Sequence, residues 1–377
     1  VKVEGMHRIA DTFGPIPYVN YGSSSLYDAL DLVYNKFFEE LDNAIEVLSN
    51  YVNGNVDAKL MSDYDCVYGG DVEKWVKFAN TLRLRLAIRV SYANPTLAEA
   101  QAKKSMENMF GFIESKAERA ELSHNSLEYH HPLHEIAYNF NSGDCRPGAT
   151  IVAYLNGLND SRISSYFTAA DDGEYHGVRI GITTSNMSNY QGNKISNLNI
   201  NRASTPVVWM TAAESFFLRA EGALRGWDMG GTAKSFYEQG VRMSFEENNA
   251  AGVDDYLADH TSTPGAFADN VGSDNYTFSS RVTPAWDDNA GFEAQLERII
   301  TQKWIANYPD GPEGWSEYRR TGYPEVIPVV RNSSNGTIDT QLQVRRLPYT
   351  RDEKINNASG VASGISALGG QDTGCLL

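Results

Sequence analysis

The chain has 377 residues, enough for one large or two ordinary domains with ample core, and 41% hydrophobic against 21% charged residues is a globular balance. Forty-eight acidic against 32 basic residues give a net charge of −16, which repels phosphate backbones and argues against a nucleic-acid partner. No apolar run approaches the roughly 20 residues of a membrane span.

The opening Val1–Ala10 reads as the end of a helix, broken by Phe13-Gly14-Pro15-Ile16-Pro17-Tyr18. Residues 26–50 predict a helix from the spacing of Leu26, Leu30, Val33, Phe37, Leu41, Ala44 and Leu48, with Ser23 to Ser25 as caps. After a turn-rich link, Asp71 caps a helix over about 72–93 that buries Trp75, Ala79, Leu82, Leu86 and Val90 and shows Arg83, Arg85 and Arg89. Asn94-Pro95 ends it, and an Ala-rich helix follows at about 96–110. Residues 111–205 lose periodicity, keep only short elements near 114–120 and 149–157, and read as long functional loops. A helix through Trp209, Phe217 and Leu224 and another through Phe236, Val241 and Phe245 make an antiparallel pair close to a tetratricopeptide unit. A second irregular stretch, 249–288, leads to a helix at Phe292–Tyr308, stopped by Pro309 and Gly311. Beyond it Trp315, Arg319 and Arg320 read as a buried corner with paired charges. Pro324 to Arg331 and Gln341 to Leu347 read as extended, around a turn at Asn332 to Gly336.

Several candidate chemistries have plainer readings. Glu214 and Glu221 share a helix face roughly 10.5 Å apart along the axis. A glycoside hydrolase instead needs two carboxylates about 5–9.5 Å apart across a cleft, so ion pairing is the better reading. His130, His131 and His134 are interrupted by Pro132 and lack an acidic base, and no metal is expected there. Asp63, Asp65 and Asp71 depart from the EF-hand rule and read as a turn before a cap, as Asp171-Asp172 reads as a turn. Cys66, Cys145 and Cys375 form neither a disulfide framework nor a CxxC pattern. No phosphate-cradling glycine loop is present, and no cofactor is expected.

Twenty-one Tyr and six Trp suit flat, partly polar ligands such as sugars or peptides. Trp75, Trp209, Trp227 and Trp304 fall on or beside helix stripes and read as core. The loop aromatics Trp286, Tyr276, Tyr175, Tyr64 and Tyr190 are the candidate ligand-binding residues, with a hydrophobic staple as the alternative for Trp286.

Five segments in order resemble the SusD-like branch of the SusD/RagB family. They are Asp11–Tyr18; Tyr68–Trp75 with Phe78–Arg83; Ala213–Glu221; Glu313-Gly314-Trp315-Ser316-Glu317-Tyr318-Arg319-Arg320-Thr321-Gly322; and Arg346-Leu347-Pro348-Tyr349 with Glu353 and Asn356-Asn357. The resemblance implies a mainly α fold: tetratricopeptide-like helical pairs form a scaffold, with long loop-rich insertions and minor β. One domain over 1–377 would have its scaffold at about 1–110, 209–248 and 291–323, and ligand-surface insertions at about 111–205 and 249–288. The implied function is non-catalytic binding of oligosaccharide nutrients at the outer face of the cell outer membrane, with delivery to a TonB-dependent, SusC-like transporter. The alternatives are a glycoside hydrolase, a peptide-binding nutrient-uptake lipoprotein or a scaffold binding only proteins. The resemblance further implies a fragment lacking its N-terminal portion, with a lipid anchor absent from this chain. The Gly-Cys-Leu-Leu end departs from the family pattern.

Overall fold

The structure is a computed structural model that describes residues 1–55, 57, 59–122, 131–140, 145–182, 184–200 and 205–373. His130 and Cys375 lie outside the described residues. Helix α1 (Lys2–Phe13) closes on Gly14, whose φ of 81° favours a residue without Cβ. Helices α2 (Leu30–Gly54), α3 (Val72–Arg89) and α4 (Pro95–Met106) follow, with Asp71 and Asn94 capping the last two. The loop-rich stretch carries β1 (Ala120–Leu122), the short helices α5 (Pro132–His134), α6 (Ala149–Gly157) and α7 (Ile163–Tyr166), and strands β2 (Phe167–Thr168) and β3 (Asn197–Leu198). Strand β4 (Val207–Met210) leads into α8 (Ala212–Leu224) and α9 (Ala233–Glu247), which form the most extensive helix–helix contact. After α10 (Val253–Leu257), β5 (Ala266–Phe267) and β6 (Tyr276–Thr277) come α11 (Phe292–Ala306), α12 (Gly311–Thr321), α13 (Arg351–Asn356) and α14 (Ala358–Ala367).

The architecture is mainly α, with tetratricopeptide-like helical pairs and few short strands. Helix α2 packs on α3, α3 on α4, α8 on α9, and α11 on α8. Three antiparallel two-stranded ribbons, β1–β4, β2–β3 and β5–β6, are the sheets among the described residues. One core gathers α6, α8, α9 and α11 around Tyr154, Phe217, Tyr237 and Ile299; a second gathers α1, α2 and α3 around Val33, Phe37, Val76 and Leu82. Within the first core Gly240 lets α9 approach α8, since a Cβ there would stand 2.8 Å from the Phe217 ring.

Three expectations are corrected. Helix α2 starts at Leu30, and the Ser23 to Ser25 caps are not used. Asp28 instead accepts the N–H groups of Tyr18 (2.9 Å) and Val19 (2.7 Å), tying the preceding loop down. Trp209 lies in β4, because Thr211 accepts the Glu214 N–H at 2.9 Å and starts α8 after it. Arg83 and Arg85, expected to be exposed, are 4% and 1% accessible, since each faces a carboxylate across a helix interface. Residues 311–321 form a true helix, capped by Asp310.

Candidate functional site

The carboxylates that drew attention in the sequence belong to a buried charge network. Arg85 donates to both oxygens of Glu214, at 2.8 and 2.6 Å, and reaches Glu4 at 3.3 Å. Arg89 bonds Glu317 at 3.0 Å and Glu313 at 2.5 Å, while Lys303 donates to Glu313 at 3.1 Å. Arg320 grips Glu221 through two hydrogen bonds of 2.6 and 2.7 Å. Burial pushes Glu313 upward, but Arg89, Lys303 and Arg85 outweigh it and hold the carboxyl well below its ordinary value. Burial likewise opposes ionisation of Glu317, yet Arg320, Lys303 and Arg89 bring it to about 2. These groups pair with one another and stitch α1, α3, α8, α11 and α12 together.

The other polar motifs also resolve into local structure. His131 accepts the Leu133 N–H at 3.2 Å, and the His134 ring lies 4.9 Å from that of Tyr138. Asp65 accepts the Trp75 indole N–H at 2.7 Å and the Gly70 N–H at 2.8 Å, so it ties the turn to α3. Among the described residues no three His, Cys, Asp or Glu side chains gather to hold a metal ion.

The five loop aromatics stand in different surroundings. Trp286 is 7% exposed; its ring lies 5.3 Å from Tyr237 of α9, and its indole N–H donates to Asp288 at 3.1 Å. Tyr190 is 4% exposed, with its hydroxyl on Asp269 at 2.6 Å. Both rings are thus buried. Tyr276 is half-buried under the Arg179 guanidinium, 5.6 Å from its ring centre, and its hydroxyl donates to Glu325 at 2.8 Å. Tyr190 joins the same cluster through Asp269, whose N–H donates to Asn275, while Arg179 donates to the Asn275 carbonyl. Tyr175 is half-buried against the first core, and its carbonyl accepts from Asn156. Tyr64 is 81% exposed on the turn before α3.

Two hollows stand out. The larger, about 730 Å³, is rimmed by His131 to Leu133 and Thr205 to Thr211, which adjoin segments outside the described residues. The smaller is a groove of about 490 Å³ whose lining comes wholly from residues 304–344. Its aromatic wall is Trp304 from α11 with Trp315 and Tyr318 from α12. Trp304 fits closely against α12 because position 314 is glycine, where a Cβ would meet the indole at 2.8 Å. Trp315 donates its indole N–H to the Val344 carbonyl at 2.9 Å, and Tyr318 its hydroxyl to the Gln341 carbonyl at 3.0 Å. Arg319 lies over the Trp315 ring, 3.8 Å from its centre, outside the groove lining, and so backs the ring. Burial brings the Arg319 guanidinium down to about 10.

The polar wall is the loop that these contacts pin to α12. Asn332 donates to the Ile338 carbonyl at 2.7 Å and to the Thr340 hydroxyl at 2.9 Å, and Asp339 accepts the N–H groups of Gln341 and Leu342. The lining also includes Val326 and Val329. This segment leans on the loop cluster, since Arg179 donates to the Pro328 carbonyl at 2.9 Å and Val330 N–H to Ile180 at 2.9 Å. Tyr276, through Glu325, therefore stands next to the groove wall. The sequence reading placed Trp304 and Trp315 in packing roles and left Tyr318 unassigned. The signal that was available is Trp315 and Tyr318 three residues apart on a helix, followed by a loop rich in Asn, Ser, Thr, Asp and Gln.

The family model described as "Susd and RagB outer membrane lipoprotein" matches residues 1–376. The chain belongs to the SusD-like family. A chitin-binding SusD homolog from Flavobacterium johnsoniae is 42% identical with a TM-score of 0.94, over 100% of this chain and 78% of that one. A SusD homolog from Bacteroides uniformis is also 42% identical, with a TM-score of 0.90 over the same shares. A SusD-like protein from Bacteroides thetaiotaomicron is 40% identical, with a TM-score of 0.92 over 100% of this chain and 78% of that one. No curated protein matches. The family is one of outer-membrane lipoproteins, and its members are carbohydrate-binding, non-catalytic proteins.

Proposed function

We propose that this SusD-like protein captures an oligosaccharide in the groove between α12 and the 332–344 loop and passes it to a SusC-like, TonB-dependent transporter. Capture would take place on the outer face of the outer membrane. The observation that carries the reading is the groove itself: two indoles and a phenol on one wall, amides, hydroxyls and a carboxylate on another. Pyranose rings present C–H faces that stack on aromatics and equatorial hydroxyls that need such partners. Tyr276 and Tyr175 would extend this surface, whereas Tyr64 would serve only a ligand long enough to reach the turn before α3. The chitin-binding relative supports a glycan cargo and makes chitooligosaccharides the first ligands to try. A glycan array with product analysis tests the reading: saturable binding with the sugar recovered intact is expected. Cleaved products, or no bound glycan, would overturn it.

A further inference from the structure

The groove is more apolar than an unsubstituted glucan requires. Beside its aromatic wall stand four branched aliphatic side chains, Val326, Val329, Ile338 and Val344. A plain hexose offers them nothing, because its C–H faces go to the indoles and its rim is hydroxyl. One residue of the polar wall is also unusual. Gln343 has a φ of 58°, a left-handed conformation that few residues other than glycine and asparagine adopt. Its side chain lines the groove, and its amide nitrogen is buried without a hydrogen-bond partner. A buried donor with no acceptor is costly, and a strained backbone holding it there points to use. The Gln343 N–H donates to the Asp339 carbonyl at 2.8 Å, so both side chains issue from one turn. Asp339 spends Oδ1 on two backbone N–H groups, which hold its carboxyl below the ordinary value and leave Oδ2 as an acceptor.

An unused donor, an unused acceptor and an aliphatic patch are the complement of an acetamido group. We infer that the groove selects 2-acetamido sugars: Gln343, its side-chain amide turned out of its buried and unpartnered position, donates to the acetyl oxygen, Asp339 accepts the amide N–H, and the methyl group rests on Val326, Val329 and Ile338. This inference rests on the glycan-capture reading above and adds the recognition element to it.

The test is calorimetric titration of the full chain with chitotetraose, cellotetraose and the deacetylated chitosan tetramer, which share a backbone and differ at C2. The wild-type protein is expected to bind chitotetraose at least tenfold more tightly than cellotetraose. Gln343→Met, which keeps the length and loses the donor, should weaken chitotetraose about five- to tenfold and cellotetraose less than twofold. Gln343→Glu should do the same to the ratio. Equal wild-type affinity for chitotetraose and cellotetraose, or an unchanged ratio in both variants, overturns the acetamido inference while leaving glycan capture standing. Binding of none of the three, together with an empty glycan array, overturns the capture reading and this inference with it.

Discussion

Replacing Arg85 by Met tests whether the charge network holds the scaffold. Arg85 is 1% exposed, and its guanidinium faces Glu214 at 2.6 Å and Glu4 at 3.3 Å. Methionine nearly fills the space, so the cavity contribution is small and the loss is electrostatic. Glu214 would keep only Lys303, at 3.5 Å, and Glu4 would keep Arg8, at 2.8 Å. Leaving a buried carboxylate short of its main partner costs about 3–5 kcal/mol, a large part of the stability of an ordinary domain. Adding Glu214→Met removes the stranded charge, while Lys303 keeps Glu313 at 3.1 Å. The double variant should therefore recover about 1–3 kcal/mol relative to the sum of the two single changes. Urea unfolding followed by circular dichroism, with unchanged m-values, reads both numbers. A single variant losing less than about 1 kcal/mol, or a double variant equal to the sum of the singles, would show that the network carries little of the stability.

Further outcomes follow from the same geometry. Trp315→Ala should weaken glycan binding about tenfold or more, through lost stacking and a released loop, with the helical signal intact; unchanged affinity in titration would remove the groove from capture. Gly314→Ala places a methyl 2.8 Å from Trp304 and should cost about 1–3 kcal/mol while also narrowing the groove, read by melting and titration together. Glu247, pushed by burial up to about 7 although Ala212 donates to it, has a folded pKa above the unfolded value. Its contribution is present below about pH 4.5 and is lost as pH rises through 7, so Glu247→Gln should flatten the fall in stability across that window. Glu317 has the opposite sign: its folded pKa of about 2 gives stability that is present above about pH 4.5 and lost as pH falls towards 2. Acid titration of Glu317→Gln should show that loss reduced.

The helical scaffold was legible because apolar stripes, caps and glycine stops are local signals. The spacing of Phe236, Val241 and Phe245 gives α9, and Asp71 gives the start of α3. Buried arginines were not legible, since Arg83 and Arg85 look like solvated positions until partners from α2 and α8 are brought across. The ligand surface was harder still. Trp286 and Tyr190 sit in polar loops but turn inward onto Tyr237 and Asp269, contacts spanning 49 and 79 residues. Trp315 shows the reverse case. Its helix carries buried charges, so the whole segment reads as interior, and only the fold reveals that one edge is open.

Helix α12 thus has two unlike faces within eleven residues. Glu313, Glu317 and Arg320 point inward to carboxylate and guanidinium partners, while Trp315 and Tyr318 hold the 332–344 loop by its backbone carbonyls. Because those anchors grip main-chain atoms, they do not depend on which side chains the loop carries. The loop can therefore exchange its residues, and the protein its sugar, without renegotiating the attachment. A scaffold built this way can change the side chains of the loop while the two anchors on α12 stay as they are.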